Sequence, residues 1–317
     1  MDVSIVIVNY NSIDFLKECL ESLYSYPQGV SFEVIVVDNG SNDGQLAQIT
    51  KQFPNVYCIE NKANKGFAAA NNQGIKRAVG EFILLLNPDT NVQAYSLREI
   101  VSFFHRSPRV GIAGCKMFYK DGRLQYSAHS FPSPLVLFSE AVFLDVLFPR
   151  SRVFGKSNLT CFSYDKERPV DWVVGAFFMI RREVITRVGL LDEQFFMYSE
   201  EVDYCLRAVG SGYEVWFVPH ATIVHYWGGV TAMSKRSLWW GHLSQLILFR
   251  KHFNGPTLWL LVFLKFLGIV NRIVAYCLLG CLMFNRRLLL KSYYQSYAIC
   301  RLILGSWSFS PLIDQPE

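Results

Sequence analysis

The stretch FFMYSEEVDYCLR, residues 195–207, sets Glu200, Glu201 and Asp203 within four positions of one another, directly behind a run of aromatics. Carboxylates so placed suit general acid–base chemistry, in which a positioned side chain takes a proton from an attacking hydroxyl. Each also has an ordinary structural use. With Ser199 as N-cap, Glu200 and Glu201 fall in the first turn of a helix, where the dipole favours negative charge, and that suffices for Glu200. Asp203 and Arg207 stand at i, i+4, the spacing of an intrahelical ion pair. Glu201 has no such partner in the helix. Two other acids end apolar runs. Asp38 closes the strand-like part of VVDNGSNDG (36–44), where it can accept bonds from a base or ribose, although Asn, Asp and Gly also suit a plain turn. Asp89 closes LLLNPDT (84–90) beside Asn87 and Pro88. A carboxylate next to an amide at a strand end suits a hard divalent cation that also holds diphosphate oxygens, against the alternative of an Asx turn.

These groups need a frame. Continuous apolar runs at 3–9, 32–38, 55–61 and 81–89 have the length and character of parallel strands buried on both faces. Between them, residues 11–25 put Phe15, Leu16, Cys19, Leu20 and Leu23 on one helical face, with Asn11 or Ser12 as N-cap, and residues 65–80 form a second helix closed by Gly80. Strand and helix in alternation predict an α/β sheet with right-handed crossovers. The middle, 119–170, is less regular: it holds a DG turn at 121–122 and an apolar helix candidate at 134–149. Strand character resumes in 171–185, and YEVWFVP and ATIVHYW follow as two short strands. Neither GxGxxG nor GxxxxGK[ST] follows the first strand, which disfavours dinucleotide and P-loop chemistry.

At 317 residues, 51% hydrophobic and 15% aromatic against 18% charged, the chain is rich in apolar side chains for a soluble enzyme. From Thr231 onward the charge is +8, leaving −3 for the rest of a chain of net +5. Between Gly255 and Phe284, Lys265 and Arg272 break the apolar run into pieces too short to span a bilayer. Lys265, Arg272 and Arg286 share heptad spacing, the pattern of a helix lying in the interface with a basic stripe toward anionic headgroups; a buried helical hairpin is the alternative. Eight scattered cysteines show no metal spacing and suit a reducing compartment. The N-terminus opens into DVSIVIVNY, expected as a first strand rather than a signal peptide.

Six motifs occur in a telling order: SIVIVNYNS (4–12), VDNGSNDG (37–44), NKGFAAANNQGI (64–75), LLLNPDT (84–90), GAFFMIRREV (175–184) and the acidic stretch. In this the chain resembles family-2 glycosyltransferases, above all their bacterial rhamnosyltransferase-type members, over about residues 3–230. The resemblance implies a GT-A fold with a mainly parallel central sheet flanked by helices, a nucleotide-diphosphate sugar donor, a divalent metal (Mg²⁺ or Mn²⁺) and inversion at the anomeric carbon. It puts Val8, Asn9, Asp38, Asn39, Lys65, Gly66, Asn71 and Asn87 on the donor side, and Gly175, Ala176 and Glu200 on the acceptor side. Asp89 matches the metal-binding aspartate of the family's DxD, which here reads NPD, so Asn87 supplies an amide instead of a first carboxylate. His225, in IVHYWGG (223–229), resembles a late histidine that joins the metal in some members, and it ends an apolar strand before two glycines; His220 has no motif support. The family's base is the second acid of a Glu-Asp pair. That position is Glu201 here, one methylene longer, with Asp203 as the alternative.

The expectation is therefore a catalytic domain over 1–230 and a basic, hydrophobic, helical, membrane-associating region over 231–317. The chain would transfer a sugar, L-rhamnose from dTDP-L-rhamnose as the leading choice, to a lipid-linked cell-surface polysaccharide precursor at the cytoplasmic face of a bacterial inner membrane. It would be attached there peripherally or monotopically. No nucleic acid is expected, and an oligomer is compatible with the chain. A UDP-hexose is the rival donor. A nucleotidyltransferase would need a glycine-rich basic loop where NYNSID stands, and a degenerate membrane scaffold is the rival without catalysis.

Overall fold

The computed structural model describes residues 1–304 apart from 43, 45 and 227–233. Asp43 of the polar loop, residues 227–229 of the histidine motif, the expected boundary at 230/231 and the tail acids Asp314 and Glu317 lie outside the described residues.

The apolar runs form β1 (Val3–Asn9), β2 (Phe32–Asp38), β3 (Val56–Glu60) and β4 (Phe82–Leu86), joined through α1 (Ile13–Ser25), α2 (Leu46–Gln52) and α3 (Phe67–Arg77). All seven residues of β1 are buried. Its side chains alternate between two cores: Val3, Ile5 and Ile7 meet Leu16 and Leu20 of α1, while Val6 and Val8 meet Ala68 and Ala70 of α3. Each fully buried leucine contributes roughly 1.5–3 kcal/mol. The chain continues through β5 (Thr90–Val92), α4 (Ser96–Arg106), β6 (Val110–Phe118), β7 (Leu124–Gln125), β8 (Ala128–His129), α5 (Pro134–Ala141), α6 (Leu144–Leu147), β9 (Arg168–Pro169), β10 (Trp172–Val173), β11 (Phe177–Arg181), α7 (Arg182–Val188), α8 (Glu200–Gly210) and β12 (Glu214–His225).

The main sheet runs β3-β2-β1-β4-β11-β6-β12-β5. Its first four strands are parallel, and β11 enters antiparallel to both β4 and β6, so the whole is mixed. The chain steps outward from β1 to β3 and then returns to β4 on the other side of β1. The carboxyl ends of β1 and β4 therefore border the crevice where open α/β sheets bind ligands.

Several local expectations change. Residues 214–225 make one strand, not two: β12 stays paired with β6 on both sides of Pro219, and a register shift between Val218 and Thr222 absorbs the missing N–H. Helix α3 ends at Arg77, and Ala78 is already extended. Gly80 lies in the link to β4, where its N–H donates to Ser4 Oγ (2.7 Å) and its carbonyl accepts from Arg182 Nε (2.6 Å). Residues 171–185 are two short strands and a helix. In α1, Ile13 is buried in the place expected of Phe15, which stays at the edge facing the Tyr226 ring.

Three helices follow: α9 (Lys235–His252), α10 (Gly255–Leu282) and α11 (Arg286–Leu304). They pack on one another, and α10 lies on α5, burying Val136, Leu137, Leu246, Phe249, Leu261 and Leu264 together. Helix α10 is continuous for 28 residues and is long and apolar enough to cross a membrane by length and composition. Lys265 and Arg272 do not divide it, and they form no outward stripe. Arg272 donates to Glu140 O (3.2 Å) and Gly268 O (3.1 Å), Lys265 sits within electrostatic reach of Glu140, and Arg286 belongs to the next helix. The outward face instead carries Trp259, Phe263, Val270, Val274, Leu278 and Leu282.

Candidate active site

Asn9, Asp38 and Asn87 emerge together at the crevice end of the sheet, and their side chains divide into those that hold and those that are held. Asn9 is fully buried and donates through Nδ2 to Asp38 Oδ1 (2.7 Å), and Ser12 Oγ donates to its own Oδ1 (2.8 Å). Ser41 adds its hydroxyl to Asp38 Oδ1 (2.6 Å) and its N–H to Oδ2 (3.1 Å). Asp38 is thus an oriented acceptor, and Asn9 orients it from behind. Asn39 staples the next loop: Nδ2 donates to Asn64 Oδ1 (2.9 Å) and Gly66 O (3.2 Å), while Oδ1 accepts from Asn61 Nδ2 (3.1 Å) and Lys65 N (3.0 Å). Gly66 is at φ +90° with Phe196 against it. A Cβ there would stand 2.8 Å from Phe196 O, which also accepts the first N–H of α3, from Phe67, at 2.7 Å. Lys65 is exposed, the Val8 side chain belongs to the core, and Asn71 is buried and bonded within α3 to Phe67 O (3.0 Å).

Asn87 N donates to Ala176 O (3.0 Å), which brings the Gly175–Ala176 turn to the end of β4. Two residues on, Asp89 meets His225 because β5 pairs with β12, Thr90 opposite His225; Asp89 Oδ1 lies 3.4 Å from His225 Nε2, and both residues are buried. Gln125 of β7, also buried, holds the other ring nitrogen, Nδ1, at 3.0 Å. An open cavity of about 420 Å³ borders His225, lined also by Tyr119, Lys120, Asp121, Arg123 and Tyr226. A hard oxygen and an imidazole nitrogen this close together fit one small divalent ion, and an ion of the Mg²⁺ kind is commonly held by one or two protein groups plus substrate phosphates. Among the described residues no third His, Cys, Asp or Glu joins them.

Helix α8 is entered through strain. Tyr198 (φ +70°) and Ser199 (φ +66°) are consecutive left-handed non-glycine residues, costing on the order of 1–3 kcal/mol each. Ser199 occupies the N-cap position of α8 without a side-chain cap bond. The segment is held by Ser244 Oγ donating to Met197 O (2.7 Å) and by the Phe196 ring stacked on Trp240 (4.4 Å). Glu200 and Glu201 then face a cavity of only about 10 Å³ walled by Phe67, Leu85, Gly175, Phe178 and Leu191. One carboxylate oxygen of each, Oε2, is buried without a hydrogen-bond partner. Burial raises the Glu201 carboxyl to about 7. Burial, then the neighbouring Glu201 charge, pushes Glu200 well above the usual carboxylate range. Both shifts disfavour the charged form, and that of Glu200 the more. Gly175 faces the pair, since a Cβ there would lie 3.9 Å from Glu201 Cβ.

Asp203 is elsewhere. It is wholly buried on the far side of the helix, paired with Arg207 Nε (2.8 Å) as the i, i+4 spacing predicts, and also with Lys251 and His252 of α9. Neither those two nor Gln125 carries a signal in the sequence: Lys251 counts only among the basic residues of the tail, and Gln125 follows the DG turn at 121–122.

The sequence model described as glycosyl transferase family 2 matches residues 4–189, and the chain belongs to that family. It is 30% identical over 236 residues to the N-acetylglucosaminyl-diphospho-decaprenol L-rhamnosyltransferase of Mycobacterium tuberculosis, covering 70% of this chain and 75% of the relative. It is 27% identical over 233 residues to the rhamnosyltransferase WbbL of Escherichia coli K12, covering 71% and 83%. Among solved structures, the mannosyltransferase PcManGT from Pyrobaculum calidifontis, in complex with GDP-Man and Mn²⁺, superimposes with a TM-score of 0.59 at 18% identity, covering 96% of this chain and 87% of that one. That likeness shows the GT-A type of fold.

Proposed function

We propose that this glycosyltransferase is a metal-dependent, inverting enzyme that moves L-rhamnose from dTDP-L-rhamnose to a lipid-linked precursor of a cell-surface glycan. The observation that carries the reading is the pairing, in one family-2 chain, of a carboxylate with a buried, unpartnered oxygen, Glu201, with the Asp89–His225 pair at the crevice end of the sheet. Glu201 accepts the proton of the acceptor hydroxyl as it attacks; a positioned base of this kind supplies about 10²- to 10⁴-fold. Asp38 receives the nucleoside, held in place by Asn9 and Ser41, and Asn39 fixes the loop that Gly66 closes. Asp89 and His225 would hold Mg²⁺ or Mn²⁺, which when bound neutralises charge on the departing diphosphate. The names of the two rhamnosyltransferase relatives support the sugar, and the decaprenol in one of them supports a lipid-linked acceptor.

Residues 1–230 act as the catalytic domain and 231–317 as the membrane-associating region. The outward apolar face of α10 and the basic tail suit attachment at the cytoplasmic face of a bacterial inner membrane. The test is an assay of the purified protein with a panel of nucleotide sugars, scored by nucleoside diphosphate release with and without Mn²⁺. Release from dTDP-L-rhamnose that requires the metal is expected. A strong preference for a UDP-hexose would overturn the donor, and no metal-dependent diphosphate binding by calorimetry would favour a scaffold.

A further inference from the structure

Asp203 lies two residues from Glu201 yet has no oxygen left for a substrate. Its Oδ2 accepts from Arg207 Nε at 2.8 Å, and its Oδ1 takes both Lys251 Nζ (2.8 Å) and His252 Nε2 (2.7 Å). The side chain is fully buried. The same cations reach further. Arg207 donates to Val188 O (3.1 Å) and Leu190 O (2.9 Å), and Lys251 also pairs with Asp192. The loop they hold supplies Leu191, which walls the cavity of Glu201 and is bonded to α3 through Asn72, whose Nδ2 donates to Leu191 O (2.9 Å) and whose Oδ1 accepts from Leu191 N (3.0 Å).

We infer that Asp203 is a positioning residue: with Lys251 and His252 it forms a charged joint that ties the C-terminal helix α9 to the base helix α8 and to the loop between α7 and α8, fixing where Glu201 points. An intrahelical pair with Arg207 alone would serve the helix. A lysine and a histidine from a segment some fifty positions away serve the junction. Adhesion there is already supplied by apolar contact, since Phe195 and Val202 pack on Ile247 and Leu248 of α9. Buried ion pairs are poor sources of net stability compared with apolar packing, and their best-attested use is to fix register and orientation. The functional weight of the joint rests on Glu201 being the base, but its mechanical part does not.

The test works from α9, away from the reacting groups. His252→Gln and Lys251→Met are compared with Asp203→Asn, Lys251→Arg and Glu201→Gln, reading kcat and donor KM together with hydrogen exchange of the α8 amides. His252→Gln and Lys251→Met should lower kcat about 10- to 100-fold, as small misplacements of a catalytic group do, with donor KM within about twofold and faster exchange in α8. Lys251→Arg should restore both readouts. If Asp203→Asn does not fold, the α9 variants decide. Unchanged kcat in a folded His252→Gln or Lys251→Met protein overturns the proposal, and so does a fall in kcat without faster exchange in α8. Full turnover by Glu201→Gln removes the base assignment instead, and leaves the exchange result to judge the joint.

Discussion

The proposed donor cradle around Asp38 and Asn39 and the cavity of Glu200 and Glu201 are built by opposite rules. In the cradle, polar side chains answer one another: Asn9 and Ser41 hold Asp38, and Asn39 satisfies Asn61, Asn64, Lys65 and Gly66 through four bonds. In the cavity, Glu200 and Glu201 each keep a buried oxygen with no partner, behind two strained residues. A satisfied network is rigid and suits recognition, because it presents one geometry at no further cost. An unsatisfied buried carboxyl is costly and titrates near working pH, which suits proton transfer. The chain thus concentrates its instability at the proposed base.

Removing the unsatisfied group should have the largest effect. Glu201→Gln should lower kcat by about 10²- to 10⁴-fold while leaving donor affinity by calorimetry unchanged; near-normal turnover would end the assignment. The wild-type rate should rise with pH as Glu201 ionises near 7. Its effect on stability has the opposite sense. Because the folded carboxyl titrates near 7 against an ordinary 4.5, the folded chain keeps a proton in that window that the unfolded chain has lost. Its contribution to stability therefore falls as pH rises from 4.5 to 7 and is flat above. Melting curves should show that slope reduced in Glu201→Gln.

Asp89→Asn comes next. It leaves His225 and Gln125 in place but replaces the carboxylate by a neutral amide, and should cost on the order of 10²-fold in kcat and weaken Mn²⁺ binding by calorimetry. Retained metal affinity would move the ion elsewhere in the crevice.

How much of this contrast could be read in the sequence depends on how local each signal is. The parallel strands were legible because burial on both faces forces continuous apolar runs, and strand ends located Asp38 and Asp89 at the crevice. The pairing of Asp203 with Arg207 was legible because it lies within one helical turn. Strand β12 was not, since Pro219 looks like an end until β6 is seen bridging it. Helix α10 misled for a similar reason: Lys265 and Arg272 break an apolar count, but both turn inward to α5. Lys251, His252 and Gln125 carry no local pattern. Only the fold brings them to Asp203 and His225.

The cradle can be tested by unsatisfying it. Asn39→Ala leaves Asn61 Nδ2 and Lys65 N without their shared acceptor, while Gly66 O keeps Ala70 N and Asn64 Oδ1 keeps Gly66 N, and each such unsatisfied donor costs about 1–3 kcal/mol. At about 2–4 °C per kcal/mol for a chain of 150–250 residues, Tm should fall by several degrees and donor KM should rise, with kcat at saturation close to wild type. A kcat effect as large as that of Glu201→Gln would erase the division between recognition and chemistry.

Glu200→Gln should do least. Burial, reinforced by the charge of Glu201, pushes the Glu200 carboxyl well above the usual range and so favours its neutral form, which an amide of the same shape mimics in charge and volume. The rise in Glu201 comes from its own burial, so its titration should scarcely move when Glu200 is replaced. Turnover should stay within about threefold of wild type, a change in barrier of under about 1 kcal/mol. The comparison with Glu201→Gln is informative because the two side chains share one cavity, one helix turn and one substitution. A severe loss in Glu200→Gln with a mild one in Glu201→Gln would mean that the proton sits on Glu201 and the two acids have exchanged roles. Unequal losses of the expected size would locate the base at the second acid of SEEVD, with the first kept neutral beside it.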